Sequence, residues 1–441
     1  MLPPFFDDIE QRTFAFFWET ANPANGLVPD RWPSSWAASI AAVGFALTAY
    51  PIGVERGYIT RTQAHERVLA TLRFFANAPQ GSQEGGVAGC MGFFYHFLDM
   101  RTGMRWAQRE ISTIDTALLL MGILFCQSWF DRPTGPESEI RQLADTIYAR
   151  VNWNWAQVRA PLICTGWTPE DGYLSDDWVG YNEAMIVYLL ALGSPTHPVE
   201  ARAWNAWTGG YDRFWGRFEQ YEYLGFAPLF GHQYSHLWVD FREIADEYMR
   251  ARGLDYFENS RRATFAQQAY AIANPQGWKG YNKYCWGLSA CDGPADFTGS
   301  YQGSERAFNA YGARGVGVID SFDDGTIAPT AALGSIAFAP EIVIPTAQQM
   351  LLRYGGQIYG KYGFRDSFNP SFQYSATLNN GRIVNGLGWV ATDYLGIDQG
   401  PILGMIANHR NGLVWNTMRT NAHLAQGLRR AGFRGGWLAV G

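Results

Sequence analysis

No stretch of this sequence approaches the roughly 20 consecutive apolar residues that a membrane-spanning helix needs, although 47% of its residues are hydrophobic. Membrane insertion is therefore not expected. Lysine and arginine are never clustered and the formal net charge is −6, which argues against nucleic acid or an anionic membrane surface as a partner. There is no P-loop, no Gly-x-Ser-x-Gly elbow, no HExxH pair and no GxGxxG turn following a strand; Gly312-Ala-Arg-Gly-Val-Gly317 is a near-miss with no strand before it. No cofactor and no metal is expected. Cysteine is scarce, and its five positions, Cys90, Cys126, Cys164, Cys285 and Cys291, form an odd set without metal-ligand spacing. Cys285 and Cys291 pair if the compartment oxidises and remain thiols otherwise. The opening residues, Met1-Leu-Pro-Pro-Phe-Phe-Asp-Asp, lack the basic and apolar regions of a secretory signal. The protein is then either cytoplasmic, or periplasmic or secreted with its signal already removed.

What the chain has in abundance is aromatic side chains, with 18 Trp and 23 Tyr set among only 17% charged residues. Most of these must pack a core, and the remainder suit a groove that holds sugar rings by their apolar faces. Its 441 residues contain no linker, charge run or low-complexity tract, so a single domain spanning 1–441 is expected, acting as a monomer. Helical periodicity recurs in about a dozen segments separated by loops rich in Gly, Pro, Asn and Asp. Two kinds alternate. Thr60–Phe75 and Pro136–Tyr148 are charged on one side, whereas Ala37–Tyr50, Thr113–Phe125, Glu183–Leu192, Thr326–Phe338 and Pro401–Ala407 are almost uncharged. A one-sided helix covers a surface and a helix apolar all round is enclosed by protein. The pattern predicts an all-α (α/α)6 barrel with long loops and short β-hairpins, at 91–108, 362–377 and 382–392, around the mouth where the inner helices begin.

The first turns of the inner segments carry polar groups: Asp115, Glu183, His232 with His236, Thr330, and Asp398 with Gln399. Glu183 is the single acid in the apolar run from Val179 to Gly193. Burial without a partner favours the protonated carboxyl, which is the form a general acid needs; a surface Glu at the positive end of a helix is the alternative. A cleft of carboxylates and aromatics without a cofactor suits glycoside cleavage, where one carboxyl protonates the leaving oxygen and another activates water or attacks the sugar. Glu183 is the candidate acid. Asp366 is the candidate base, kept ionised by the adjacent Arg365; Asp115 competes for that role, with Glu110 and Asp398 behind it. His232 and His236 have zinc-like spacing but no third ligand, so substrate hydrogen bonding or packing is expected of them. The loop 281–325 is long and polar without obvious structure, and its Tyr284 and Trp286 are candidates for a groove wall. Its Asp323-Asp324-Gly325 lacks the spaced ligands of a calcium loop and reads as a turn and cap.

Several segments together carry a family resemblance. Phe14-Ala-Phe-Phe-Trp-Glu-Thr-Ala-Asn-Pro-Ala-Asn-Gly-Leu-Val-Pro-Asp-Arg31, Ser112-Thr-Ile-Asp-Thr-Ala-Leu-Leu119, Gly180-Tyr-Asn-Glu-Ala-Met185, Phe230-Gly-His-Gln-Tyr-Ser-His236 and Gly396-Ile-Asp-Gln-Gly-Pro401 resemble the bacterial glucoamylase-like proteins, which include the endo-β-1,2-glucanases of glycoside hydrolase family 144. The resemblance implies an (α/α)6 barrel, metal-independent inverting hydrolysis, and β-1,2-glucan or its oligosaccharides as substrate. By motif, Glu183 takes the place of the acid, and Asp366 corresponds to the base of related enzymes. Arg31, Trp178, Tyr181, His232, Tyr234, His236, Trp286, Arg365, Asp398 and Gln399 are then expected to shape the substrate subsites. Members of the family are typically exported. A different class, a glycan-binding protein that keeps the groove without the chemistry, remains open on the residues alone, as does a hydrolase or transglycosylase of another glucan linkage.

Overall fold

The computed structural model describes residues 2–34 and 37–439. It is rich in helix, and among the described residues no helix is long and apolar enough to cross a membrane. Ser39, whose hydroxyl accepts from the Ala42 N–H, starts the helix Ile40–Glu55, and every residue of that helix through Gly53 is buried. Ser112 caps Thr113–Trp129 in the same way through the Asp115 N–H. Capping by serine satisfies donors that a buried helix end would otherwise leave unpaired. These two helices pack on each other, Ile40–Glu55 also packs on Gly396–Asn411, and Thr113–Trp129 on Met185–Gly193. A Cβ at Gly44 would lie 2.2 Å from the Leu118 carbonyl oxygen, and one at Gly122 would lie 2.2 Å from that of Gly44. The two buried helices therefore meet backbone to backbone.

The charged helices lie outside this set. Arg61–Asn77, opened by a capping box between Thr60 and Gln63, packs on Gly135–Arg150, and each touches an enclosed neighbour. Phe5–Thr20 covers Gly396–Asn411, and Ala422–Arg430 covers Met185–Gly193. The predicted inner helix Thr326–Phe338 is shorter in the structure, where only Pro329–Leu333 is helical. Its run ends as Gly334 turns and the Ser335 hydroxyl takes the Ala331 carbonyl. Conversely Pro401 does not interrupt the longer helix Gly396–Asn411, in which it is buried.

Short antiparallel pairs decorate the helical body. Arg31–Trp32 pairs with Tyr394–Leu395, and Ala38–Ser39 pairs with Phe97–Leu98. The segment 281–325 is not the structureless loop expected from its polarity. It folds into strand pairs, Ala290–Asp292 with Tyr311–Ala313, Phe297–Tyr301 with Ser304–Phe308, and Gly315–Val316 with Ser321–Phe322. Inside it the Arg314 guanidinium is fully buried, gripping both carboxylate oxygens of Asp324 at 2.7 Å and the backbone oxygens of Cys291 and Asn309.

Candidate active site

Glu183 does not stand on a helix. Gly180 adopts a left-handed φ of 77° and the Asn182 side chain accepts from the Ala184 N–H at 2.9 Å, so the chain bends first and the helix begins only at Met185. The acid is carried in the turn ahead of that helix. It is half-buried, and its Oε2 is shielded from solvent without a hydrogen-bond partner. Burial pushes its pKa up to about 7, with the charge of Asp115 adding to the effect and its own backbone N–H opposing it. Desolvation of an unpartnered carboxyl disfavours its charged form.

Asp115 lies in the first turn of Thr113–Trp129. Its Oδ2 accepts the Ser112 hydroxyl at 2.5 Å, and its Oδ1 faces His96 Nε2 at 3.5 Å. The other ring nitrogen of His96 meets Glu110 Oε1 at 2.8 Å. Burial works against a charge on this imidazole, but Asp115 and Glu110 outweigh it and lift the ring to about 9.

Asp366 and Asp398 are buried together beside Arg31. Asp366 Oδ2 accepts the Asp292 N–H at 2.8 Å, while Asp366 Oδ1 and Asp398 Oδ2 have no ordinary donor. The Asp398 carboxyl hydrogen-bonds the Asp366 carboxylate, and burial raises both groups, so the pair retains a proton. This overturns the reason for expecting an ionised Asp366. Arg365 does not pair with it but reaches the Thr392 carbonyl and lies over the Tyr394 ring. The neighbouring cation is Arg31, which bonds Asp292 at 2.8 Å and Asp30 at 3.1 Å and approaches Asp393 at 3.8 Å. Burial works to lower the guanidinium's pKa, and Asp292 and Asp30 more than offset that. Thr330 donates to the Asp398 carbonyl, and Gln399 donates to Phe364, tying the strand before Asp366 to the helix that carries Asp398.

Tyr234 links the two acid groups, since its phenol feels Asp398, Glu183 and Asp115 together while its hydroxyl approaches the Ile397 carbonyl. Glu183, Asp115, Asp366, Asp398, Arg31 and Tyr234 thus share one region. Trp178 is half-buried at its edge, donating from Nε1 to Thr113. The remaining expected subsite residues lie elsewhere or face inward. Trp286 is buried and donates to Thr346, so it forms no groove wall. Tyr181, His232 and His236 converge on the Ser260 hydroxyl inside the protein. Burial drives the His232 ring down to about 3, as packed neutral histidines require. Gln399 is buried, with the structural bond already described.

Sequence reasoning missed His96, Asp30, Asp292, Asp393 and Tyr311. Asp30 adjoins Arg31 inside a segment already singled out. Asp292 and Tyr311 are register partners in a region read as loop, and the Tyr311 phenol feels Asp366, Asp292 and Asp30. No local signal marks His96 beyond its place in an aromatic run.

A model of the glycoamylase family, described as "Putative glucoamylase", matches residues 175–422. An exo β-1,2-glucooligosaccharide sophorohydrolase (non-reducing end) of Parabacteroides distasonis is 28% identical over 456 residues, covering 96% of this chain. The chain spans 57% of the length of that relative. Among solved structures, an endo-β-1,2-glucanase of Chitinophaga pinensis in complex with sophorotriose and glucose superposes with a TM-score of 0.82 at 26% identity, over 98% of each chain. A "putative glucoamylase" of Bacteroides uniformis superposes equally well, with a TM-score of 0.82 at 29% identity and 98% coverage of both chains.

Proposed function

The chain belongs to the glycoamylase family, and from that premise we propose that it is a glycoside hydrolase that cleaves β-1,2-glucan or its oligosaccharides with inversion, on an (α/α)6 barrel. The observation that carries the chemistry is the sheltered Glu183 carboxyl, which keeps its proton near neutral pH in a region shared with buried acids from distant parts of the chain. The similarity to an exo-acting sophorohydrolase and an endo-β-1,2-glucanase supports the linkage. Whether this chain acts from an end or within the polymer turns on whether loops close one end of the groove.

Glu183 is the acid that protonates the leaving side, directly or through a substrate hydroxyl. Asp366 is the base, with Asp398 carrying the pair's first proton so that Asp366 is the member left to receive one from water. Asp115 is less suited, because one of its oxygens is bound by Ser112 and the other faces His96. Arg31 balances the acidic side of the basin. A polymeric glucan does not cross a membrane, which favours a periplasmic or secreted location.

Reducing-end release from linear β-1,2-glucan, run beside starch and laminarin, tests the substrate. Turnover of the β-1,2-linked chain alone is expected, and turnover of starch without it would overturn the reading. The optical rotation of the fresh product reports the inversion. Azide or formate should restore activity to Asp366→Gly and not to Asp115→Gly, because a small anion replaces a lost base but not a lost positioning group.

A further inference from the structure

The imidazole of His96 is clasped at both nitrogens. Nδ1 lies 2.8 Å from Glu110 Oε1 and Nε2 lies 3.5 Å from Asp115 Oδ1. A neutral imidazole carries one N–H and one lone pair, so in that form one of the two carboxylates would confront a lone pair. Only the imidazolium serves both. The residue is also held rigidly. Its N–H donates to the Glu110 carbonyl at 2.9 Å, its carbonyl accepts the Ile40 N–H at 3.3 Å, and its ring stacks on Phe97 with centroids 4.0 Å apart. Asp30 is the third acid acting on it, and Arg109 stands beyond Glu110.

We propose that His96 is a positioning residue for the reaction: held as an imidazolium between Glu110 and Asp115, it fixes the orientation of the Asp115 side chain that acts on Glu183. The proposal rests on Glu183 being the acid. Four carboxyl groups, Glu183, Asp115, Glu110 and Asp30, gather there with His96 as the cation among them, and such a cation offsets the repulsion between like charges. Without the cation Asp115 loses its partner on this side, and the neighbour of Glu183 is no longer held in place.

The first test needs no turnover. In an NMR titration of the intact protein, the imidazole signal that disappears in His96→Gln should remain that of an imidazolium at pH 8, and titration near the ordinary 6.5 would overturn the proposal. In Glu110→Gln, which keeps the histidine, the same signal should titrate at lower pH than in the wild type; an unchanged midpoint would overturn it. In kinetics, His96→Gln should lower kcat by about tenfold or more with KM within about twofold, and both limbs of its pH profile should move to higher pH. A wild-type profile and kcat in that variant would overturn the role. A wild type without activity on β-1,2-glucan would instead sink the assignment of function, leaving the titration result in place.

Discussion

Asp366 and Asp398 are buried together beside Arg31, each with one carboxyl oxygen that meets no ordinary donor; burial raises the hold of both on a proton, and the charge of Asp366 raises that of Asp398 further. Asp398 sits in the first turn of the helix Gly396–Asn411, and Asp366 in the segment that follows the strand Gly363–Phe364. Two buried carboxyl groups that act on each other in this way cannot both ionise without strong repulsion, so one proton is shared.

This relationship predicts an order among variants. The amide of Asp398→Asn still donates, so that protein should fold and keep about a tenth or more of wild-type kcat. Asp398→Leu leaves the Asp366 carboxylate buried without the donor and should lose both stability and activity. Asp366→Asn removes the proposed base and should lower kcat by about a thousandfold. Thermal melts and initial rates on β-1,2-glucan check the series. Equal kcat for Asp366→Asn and wild type would remove Asp366 from the chemistry.

Glu183 sets a second expectation, this time in pH. Its folded pKa of about 7 lies above the unfolded value of 4.5, so the folded state holds the proton more tightly than the unfolded chain does. That contribution to stability is fully present below about pH 4.5 and is lost as pH rises through about 7. Glu183→Gln, which never ionises, should therefore be more stable than wild type at pH 8, by up to on the order of 3 kcal/mol. The two should melt alike at pH 4.5. The same substitution should lower kcat by at least about a thousandfold, and wild-type kcat should decline above pH 7. Near-normal turnover of the glutamine variant, or equal melting points at pH 8, would show that the carboxyl is neither acid nor strained.

The helical body was legible because enclosed and surface helices differ so plainly in charge, as Ile40–Glu55 differs from Arg61–Asn77. Glu183 stood out because one acid interrupts an apolar run. Its exact setting was not legible, since the turn depends on the left-handed Gly180 and the Asn182 cap, and helical periodicity is blind to both. Periodicity likewise extended the Thr326–Phe338 segment past the point where Gly334 and Ser335 end it. His232, His236 and Tyr181 look like site residues in a motif, yet they point inward to Ser260, the two histidines from a 3-10 turn and a short helix and Tyr181 from the turn before Met185. Adjacency misled at Arg365, whose partner is the Thr392 carbonyl and not its neighbour Asp366. His96 and Asp292 were hidden for the opposite reason. Their significance comes from Asp115, Glu110, Arg31 and Asp366, which only the fold brings alongside.

The thiols offer a simple check on the compartment question. All five cysteines are free and buried, and Cys285 and Cys291 are not joined. Burial raises the Cys285 thiol to about 12 and Cys126 and Cys291 well above their ordinary value, which suppresses the reactive thiolate. Reductant should leave the melting temperature unchanged, and iodoacetamide should label Cys285 and Cys291 only after denaturation. Protection of that pair from alkylation in denaturant, relieved by reductant, would reveal a disulfide instead.

Arg314 ties the hairpins of 290–324 to the active-site rim. Its guanidinium holds Asp324 through two nitrogens, and it bonds the carbonyls of Asn309 and of Cys291, the residue just before Asp292. Asp292 in turn bonds Arg31 and offers its N–H to Asp366, so the grip on Cys291 is transmitted to Asp366, the proposed base. Lysine at position 314 keeps the charge but not the planar fork, and it leaves buried carbonyl and carboxylate oxygens unmet. Each buried acceptor left unmet costs about 1 to 3 kcal/mol. Arg314→Lys should accordingly melt well below wild type and, where still folded at low temperature, show a reduced kcat because Asp366 loses its anchor. A variant that melts lower yet keeps wild-type kcat would show that the hairpins stabilise the protein without positioning the base.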